Sequence, residues 1–282
     1  MTREEQIKVA QEKFAELIRS EFDRIEAMKA DKEVTDFSTK EKIVVGILPG
    51  DGIGPIIMEQ ALRVVNELLK DEIASGKVEI RTIEGMTIEN RVAKMESLPA
   101  DVFEECKKCD VLVKGPFVTP RAGDGLPNLV SANSLLRRGL QLFAAVRPIR
   151  IPDKGIDWTF FRENIEGEYI WGNKGIQVNE DLAVDFKVQT AQGSERIARA
   201  AFEFAKKNGK HNVTVVTNGN IVKLVDGNFI EAVKKVGEEY PGIEVQSVLV
   251  DAMAVKMIGN NRMQTPCQRM LSGVNTACGA YR

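Results

Sequence analysis

Between Ile7 and Met28 apolar side chains return every three or four residues: Ile7, Ala10, Phe14, Leu17, Ile18, Phe22, Ile25 and Met28. That period belongs to an α-helix, and the stripe predicts a long amphipathic helix with one face to bury, against its own chain or a partner subunit. Thr2-Arg3-Glu4-Glu5 opens it with the capping-box pattern, in which a hydroxyl and a carboxylate satisfy amides that the first turn leaves open. A polar stretch over 31–40 reads as a linker. From Lys42 the period changes. Short apolar runs over 42–48 and 110–116 predict buried strands, and 77–84, 157–161, 212–217 and 243–250 predict further strands. Helical patterns lie between them, over 56–69, 102–107, the start of 131–150, 190–208, 221–236 and 251–258. Phe143 to Val146 predicts one more buried strand, stopped by Pro148. Polar and apolar residues alternate over 168–188 around Gly172, Asn173 and Gly175, the pattern of a hairpin. Strands alternating with helices predict an α/β fold with a largely parallel sheet.

Composition narrows this only slightly. The chain has 282 residues, 43% hydrophobic and 28% charged, with a formal net charge of -2. That suits one large or two modest globular domains and gives no reason to expect nucleic acid or a membrane surface as partner. The N-terminal stretch has no apolar signal core, and Glu4, Glu5 and Glu12 argue against a transit peptide, so the expected location is cytoplasmic. Cys106-Lys107-Lys108-Cys109 has CxxC spacing, but no second pair or histidine cluster follows it. These cysteines are expected to be reduced, structural thiols. The single histidine, His211, falls in a polar turn and is expected to be exposed, which leaves no histidine for a triad or a metal.

Chemistry concentrates in Ser131 to Arg150, SANSLLRRGLQLFAAVRPIR. A small polar opening, Ser131 and Asn133, is followed by Arg137, Arg138, Arg147 and Arg150. Arginine grips carboxylates bidentately, so several of them in one run point to a small polycarboxylate. A solvated helix face with one structural ion pair accounts for them as well. The turn Pro49-Gly50-Asp51-Gly52-Ile53-Gly54-Pro55 joins a strand to a helix. Its spacing is not that of a Rossmann fingerprint, and it reads as an anion-facing turn or simply a tight one.

Taken with Phe160 to Tyr169, FFRENIEGEY, and with PGDGIG, the Ser131-x-Asn133 pair, Arg137 and Arg147, the chain resembles the isocitrate/isopropylmalate dehydrogenase family from about Lys42 to Ile258. Ser-x-Asn before the arginine is similar to the isocitrate branch. The resemblance implies a two-domain α/β fold that is not a Rossmann fold. Residues 1–41 would be an extension, 42–142 part of the larger domain, 143–258 the smaller domain with a subunit clasp, and 259–282 an atypical tail. It implies metal-dependent oxidative decarboxylation of isocitrate with NAD or NADP, Mg or Mn, in a homodimer with shared active sites. Isopropylmalate, homoisocitrate and tartrate are the other substrates it allows. Residue by residue, it implies that Ser131, Asn133, Arg137, Arg147 and Arg162 hold the substrate. Tyr169 would be the proton donor, Thr119 and Asn220 would lie beside the cofactor, and Asp251 would ligate metal in the neighbouring subunit's site. Without the resemblance, Tyr169 packed with its hydroxyl outward and Asp251 as a helix cap are sufficient readings.

The chain departs from the family pattern twice. Where the family carries a proton-relaying lysine, this chain has Asn218, and an amide does not titrate near neutral pH. Lys223, nearby in sequence, is expected to face elsewhere. Residues 259–282 hold no Asp or Glu, where the family continues with further metal-ligating aspartates, so the larger domain is expected to be incomplete. The expectation is therefore an impaired enzyme, or a non-catalytic binding or regulatory subunit of the same family.

Overall fold

A computed structural model describes residues 2–30, 36–120, 123–171, 174–259 and 267–271. Along the chain run α1 (Arg3–Ala30), β1 (Ile43–Leu48), α2 (Gly54–Leu68), α3 (Lys70–Ala74), β2 (Val78–Thr82), α4 (Ile88–Lys94), α5 (Ala100–Lys107), β3 (Val111–Lys114) and α6 (Ala132–Gly139). They are followed by β4 (Ala144–Ile151), β5 (Ile156–Glu163), β6 (Ile176–Asn179), β7 (Leu182–Val184), α7 (Ala191–Lys207), β8 (Asn212–Thr217), α8 (Lys223–Gly237), β9 (Glu244–Leu249), α9 (Val250–Gly259) and β10 (Cys267–Leu271). No helix among the described residues is long and apolar enough to cross a membrane. The chain divides into two units, residues 33–140 and residues 1–32 with 141–282.

The 33–140 unit is built on a parallel sheet of order β2-β1-β3. Alternate residues of β1 serve opposite faces, as a pleated strand requires. Val45 and Ile47 pack with Met58 of α2, while Leu48 packs with Val102 and Cys106 of α5 and Leu136 of α6. The order places β1 between its two successors in sequence, so the chain reverses direction across the sheet at the carboxyl ends of β1 and β3. Crevices at such reversals are the usual ligand sites of open α/β sheets. Cys106 is buried, and burial pushes its thiol up to about 11; Cys109 is half-buried and its thiol is also raised, again chiefly by burial.

The other unit holds a five-stranded sheet of order β4-β5-β10-β8-β9, parallel except for β4. On one face Phe161, Val213 and Val215 pack against Ile197, Ala201 and Phe202 of α7 and Phe229 and Val233 of α8. On the other, Trp158, Phe160 and Val216 pack against Met253 of α9. The helix α1 belongs to this unit. Its Leu17 is buried with Ile165, Ile170 and Trp171, so its own chain covers part of the predicted stripe, while Ile7, Phe14 and Phe22 stay exposed. Thr2 and Glu5 form the reciprocal capping box, Thr2 N to Glu5 Oε2 at 2.7 Å and Glu5 N to Thr2 Oγ1 at 3.3 Å.

Three local expectations need correction. Pro148 does not stop its strand: β4 runs through it, pairing Pro148 with Thr159. As the sheet's edge strand, β4 loses no ladder bond to a residue without an amide hydrogen. The hairpin of the 168–188 region pairs β6 with β7, so it turns at residues 180–181, beyond Gly175, and Gly172 and Asn173 lie outside the described residues. The tail, which shows no strand pattern, nevertheless supplies β10 between β5 and β8. The remainder of 260–282, residues 31–35 of the linker and residues 121–122 of the loop after Thr119 lie outside the described residues.

Candidate active site

In the 33–140 unit two loops meet beyond the carboxyl ends of β1 and β3. Asp51 N donates to Pro116 O at 2.7 Å and Gly54 N to Asp51 O at 2.8 Å. Gly50, at φ +85°, lies so close to Gly115 and Pro116 that a side chain would collide with their backbone. The Asp51 side chain ties the two loops further. It accepts from Ile88 N at 2.6 Å, Val118 N at 2.8 Å and Arg91 Nη2 at 2.7 Å. Arg91 is 0% exposed, its Nε donates to Met86 O and its Nη2 also to Val118 O. Because the amides of Asp51 and Gly54 are engaged within these loops, PGDGIG acts as a locked turn more than as an anion cradle. Thr119 stands exposed one residue beyond Val118.

Ser131 caps α6, its Oγ accepting from Ser134 N at 3.5 Å. Asn133 Oδ1 is buried with no hydrogen-bond partner among the described residues, an acceptor suited to a ligand's hydroxyl. Arg137 and Arg138 lie in the last turn of α6, where a cation also offsets the helix dipole. Burial lowers the Arg138 pKa from its ordinary value.

In the other unit, antiparallel pairing sets Arg147 opposite Phe160 and Ala145 opposite Arg162. Arg147 and Arg162 therefore share one face of the β4–β5 ladder as diagonal neighbours. Arg162 is 8% exposed. Its Nη1 donates to Tyr169 Oη at 3.1 Å, its Nη2 to Asn164 Oδ1 at 3.0 Å, and its guanidinium lies 5.4 Å from the Tyr169 ring centroid. Its Nε is buried with no hydrogen-bond partner among the described residues. A carboxylate would answer that donor.

The turn after Arg162 is fixed by carboxylates. Glu163 Oε1 accepts from the backbone amides of Asn164, Ile165 and Glu166 at 3.0, 2.8 and 3.1 Å. Glu166 accepts from Thr190 N and Thr190 Oγ1, in space that Gly193 leaves by having no side chain. Burial holds the Glu163 carboxyl above the usual carboxylate range, against the downward pull of the backbone amides. A raised pKa means that the folded chain holds the proton more tightly. Glu163 thus favours folding below the ordinary carboxylate value and loses that contribution as pH rises through the raised one. Glu163→Gln is expected to gain stability relative to the unsubstituted chain between about pH 4 and about pH 8 in urea unfolding. An equal difference at both values would remove this account of Glu163.

Across the sheet, Arg162 is level with Leu271 and Val216, and Thr217 with Leu249. The same carboxyl edge therefore carries Arg162, Asn218 and Asp251. Asn218 N donates to Asp226 Oδ2 at 2.8 Å, and Asp226, 0% exposed, accepts from Lys187 Nζ at 2.5 Å. Asn220 and Lys223 are exposed, and so is His211. Asp251 is exposed in the first turn of α9, its Oδ1 accepting from Ala252 N at 2.7 Å. No group of three His, Cys, Asp or Glu among the described residues could hold a metal ion, so Asp251 offers a single hard oxygen ligand. Sequence reasoning missed Arg91, Lys187 and Asp226. Their partners lie 40 and 39 residues away, and nothing local marks them.

Residues 44–265 match the isocitrate/isopropylmalate dehydrogenase family. Homoisocitrate dehydrogenase of Methanocaldococcus jannaschii is 31% identical over 76% of this chain and 62% of its own length. Regulatory subunit 3 of the mitochondrial NAD isocitrate dehydrogenase of Arabidopsis thaliana is 34% identical over 76% of this chain and 55% of its own. The chain thus spans less than two thirds of either relative. The crystal structure of isocitrate dehydrogenase from Methylococcus capsulatus superposes with a TM-score of 0.68 at 29% identity, covering 82% of this chain and 67% of that one. The chain belongs to the isocitrate/isopropylmalate dehydrogenase family.

Proposed function

We propose that this chain grips an isocitrate-type 2-hydroxy tricarboxylate and is impaired in turning it over. The observation that carries the grip is Arg162: a buried guanidinium, aimed by Tyr169 and Asn164, with Nε unmatched among the described residues and Arg147 on the same face. Tyr169 Oη, beside that guanidinium, is given the protonation of a product enolate on the family resemblance. Ser131, Asn133 and Arg137 are assigned the same ligand class on the family resemblance. The family reaction removes a hydride from the hydroxyl carbon and releases carbon dioxide. A nicotinamide cofactor, NAD or NADP, accepts the hydride when bound, with Thr119 and Asn220 as its neighbours. Asp251 would contribute one ligand to Mg or Mn in a site completed by a partner subunit. Exposed Ile221, Leu224 and Val255, on and beside α8 and α9, supply apolar surface for a homodimer.

Impairment follows from Asn218. Its backbone amide is tied to buried Asp226, its side chain cannot relay a proton, and Lys223 is exposed on the next helix. The same observation supports the second reading, a non-catalytic subunit that keeps substrate binding; the Arabidopsis relative is named a regulatory subunit.

Calorimetric titration with isocitrate and Mn²⁺ tests the grip. Arg162→Gln is expected to weaken binding about 100-fold, the effect of losing a charge-assisted hydrogen bond of roughly 2–3 kcal/mol. Unchanged affinity in Arg162→Gln would dismiss the grip. NADH or NADPH formation with isocitrate, measured alongside, is expected to be absent or very slow. Rapid turnover would dismiss the impairment.

A further inference from the structure

The family match begins at residue 44, so α1 lies outside it. Yet α1 touches the segment that carries the candidate substrate groups at several points. Arg24 Nη2 donates to Glu166 Oε1 at 2.8 Å and Arg24 Nε to Glu21 Oε2 at 2.9 Å. The Trp171 indole Nε1 donates to Glu21 Oε1 at 3.1 Å. Both carboxylates are buried, Glu21 at 7% and Glu166 at 1% exposure. Leu17 adds an apolar contact to Ile165, Ile170 and Trp171.

These contacts bracket Tyr169. Glu166 precedes it by three residues and Trp171 follows it by two. The segment is also held by Thr190, which donates to Glu166, and by the paired amides and carbonyls of Gly167 and Val188. Arg162 depends on the same framework, since its Nη1 donates to Tyr169. An ion pair in a dry setting is directional and costly to break, so it holds its partners in one geometry. The helix is therefore more than a cover for apolar surface.

We propose that Glu21 and Arg24 of α1 are positioning residues, which set Tyr169 and Arg162 for substrate. They touch no substrate themselves and act through Trp171 and Glu166. The proposal rests on the functional reading of Tyr169 and Arg162 given above. It predicts that mild changes in α1 shift the environment of Tyr169 while a distant tyrosine stays as it was.

The test uses the full chain carrying 3-fluorotyrosine. The sequence holds Tyr169, Tyr240 and Tyr281, and Tyr169→Phe assigns the first fluorine line. Tyr240 is the internal reference, stacked on Phe202 at 5.1 Å and donating to Glu203 Oε1. Arg24→Lys keeps the charge but loses the fork. Glu21→Gln keeps an acceptor for Trp171 and loses the charge, so the helix stays docked. In both variants the Tyr169 line is expected to shift or broaden with the Tyr240 line unmoved, and isocitrate affinity is expected to fall about fivefold. An unmoved Tyr169 line in both variants would overturn the proposal. A shifted line with unaltered affinity would also overturn it, confining α1 to a structural part. If the unsubstituted chain binds no isocitrate, the functional reading beneath the proposal falls, and the fluorine line still reports whether α1 places Tyr169.

Discussion

Arg91→Met is expected to cost the 33–140 unit about 3–5 kcal/mol, because it strands a buried carboxylate. Asp51 and Arg91 are 1% and 0% exposed at their side chains, 2.7 Å apart, and the aspartate also holds the amides of Ile88 and Val118. Methionine fills much of the volume and removes the charge. Asp51 then keeps its two backbone donors and loses its counter-ion in a setting where water does not replace it. The expected readout is a lowered urea midpoint, with faster hydrogen exchange at β1 and β3, whose carboxyl-end loops this pair ties together. Asp51→Asn in the Arg91→Met background removes the stranded charge and is expected to recover part of the loss. A change below about 1 kcal/mol in the single variant would mean that the buried pair contributes as little as an exposed one.

The second large effect is expected from Asp226→Asn, about 3 kcal/mol, because half-buried Lys187 loses its nearer carboxylate and keeps only Glu168, 4.0 Å away. This pair lies at the start of the candidate chemistry. Asp226 binds Lys187 with one oxygen and the amide of Asn218 with the other. Its loss frees the turn between β8 and α8. Lys187→Met alone is expected to destabilise as well, and the double variant Lys187→Met with Asp226→Asn less than the sum of the two. Additive losses in that cycle, measured by urea unfolding, would show that the two side chains do not act as a pair.

Both predictions concern residues that no short motif reveals. The strands over 212–217 and 243–250, and the helices over 190–208 and 221–236, were legible because a strand and a half-buried helix leave different periods in the apolar pattern. The arrangement of Arg162, Tyr169 and Asn164 was partly legible, since all three lie within eight residues and a strand end followed by a turn brings them together. The sharing of one ladder face by Arg147 and Arg162 was not. It depends on the antiparallel register of β4 and β5, which no local pattern fixes, and on Pro148 being tolerated at an edge. The strand β10 was missed for a related reason: its place between β5 and β8 is set by what lies on either side of it, and its own sequence carries no alternation to announce it.

The sequence alone determined the α/β alternation, the amphipathic character of α1 with its capping box, the likeness to a dehydrogenase family, and the amide where that family has a lysine. Each is written in a few neighbouring residues, as a period, a cap or a motif. The tertiary structure alone decided that α1 closes over the 162–171 segment. It also decided that Asp51 meets Arg91 and Asp226 meets Lys187, and that the Asp51 and Gly54 amides of PGDGIG are engaged within the loops. Those outcomes join residues dozens of positions apart. A buried charge finds its partner through the fold of the chain, and the cost of leaving it unpaired is what selects that one arrangement.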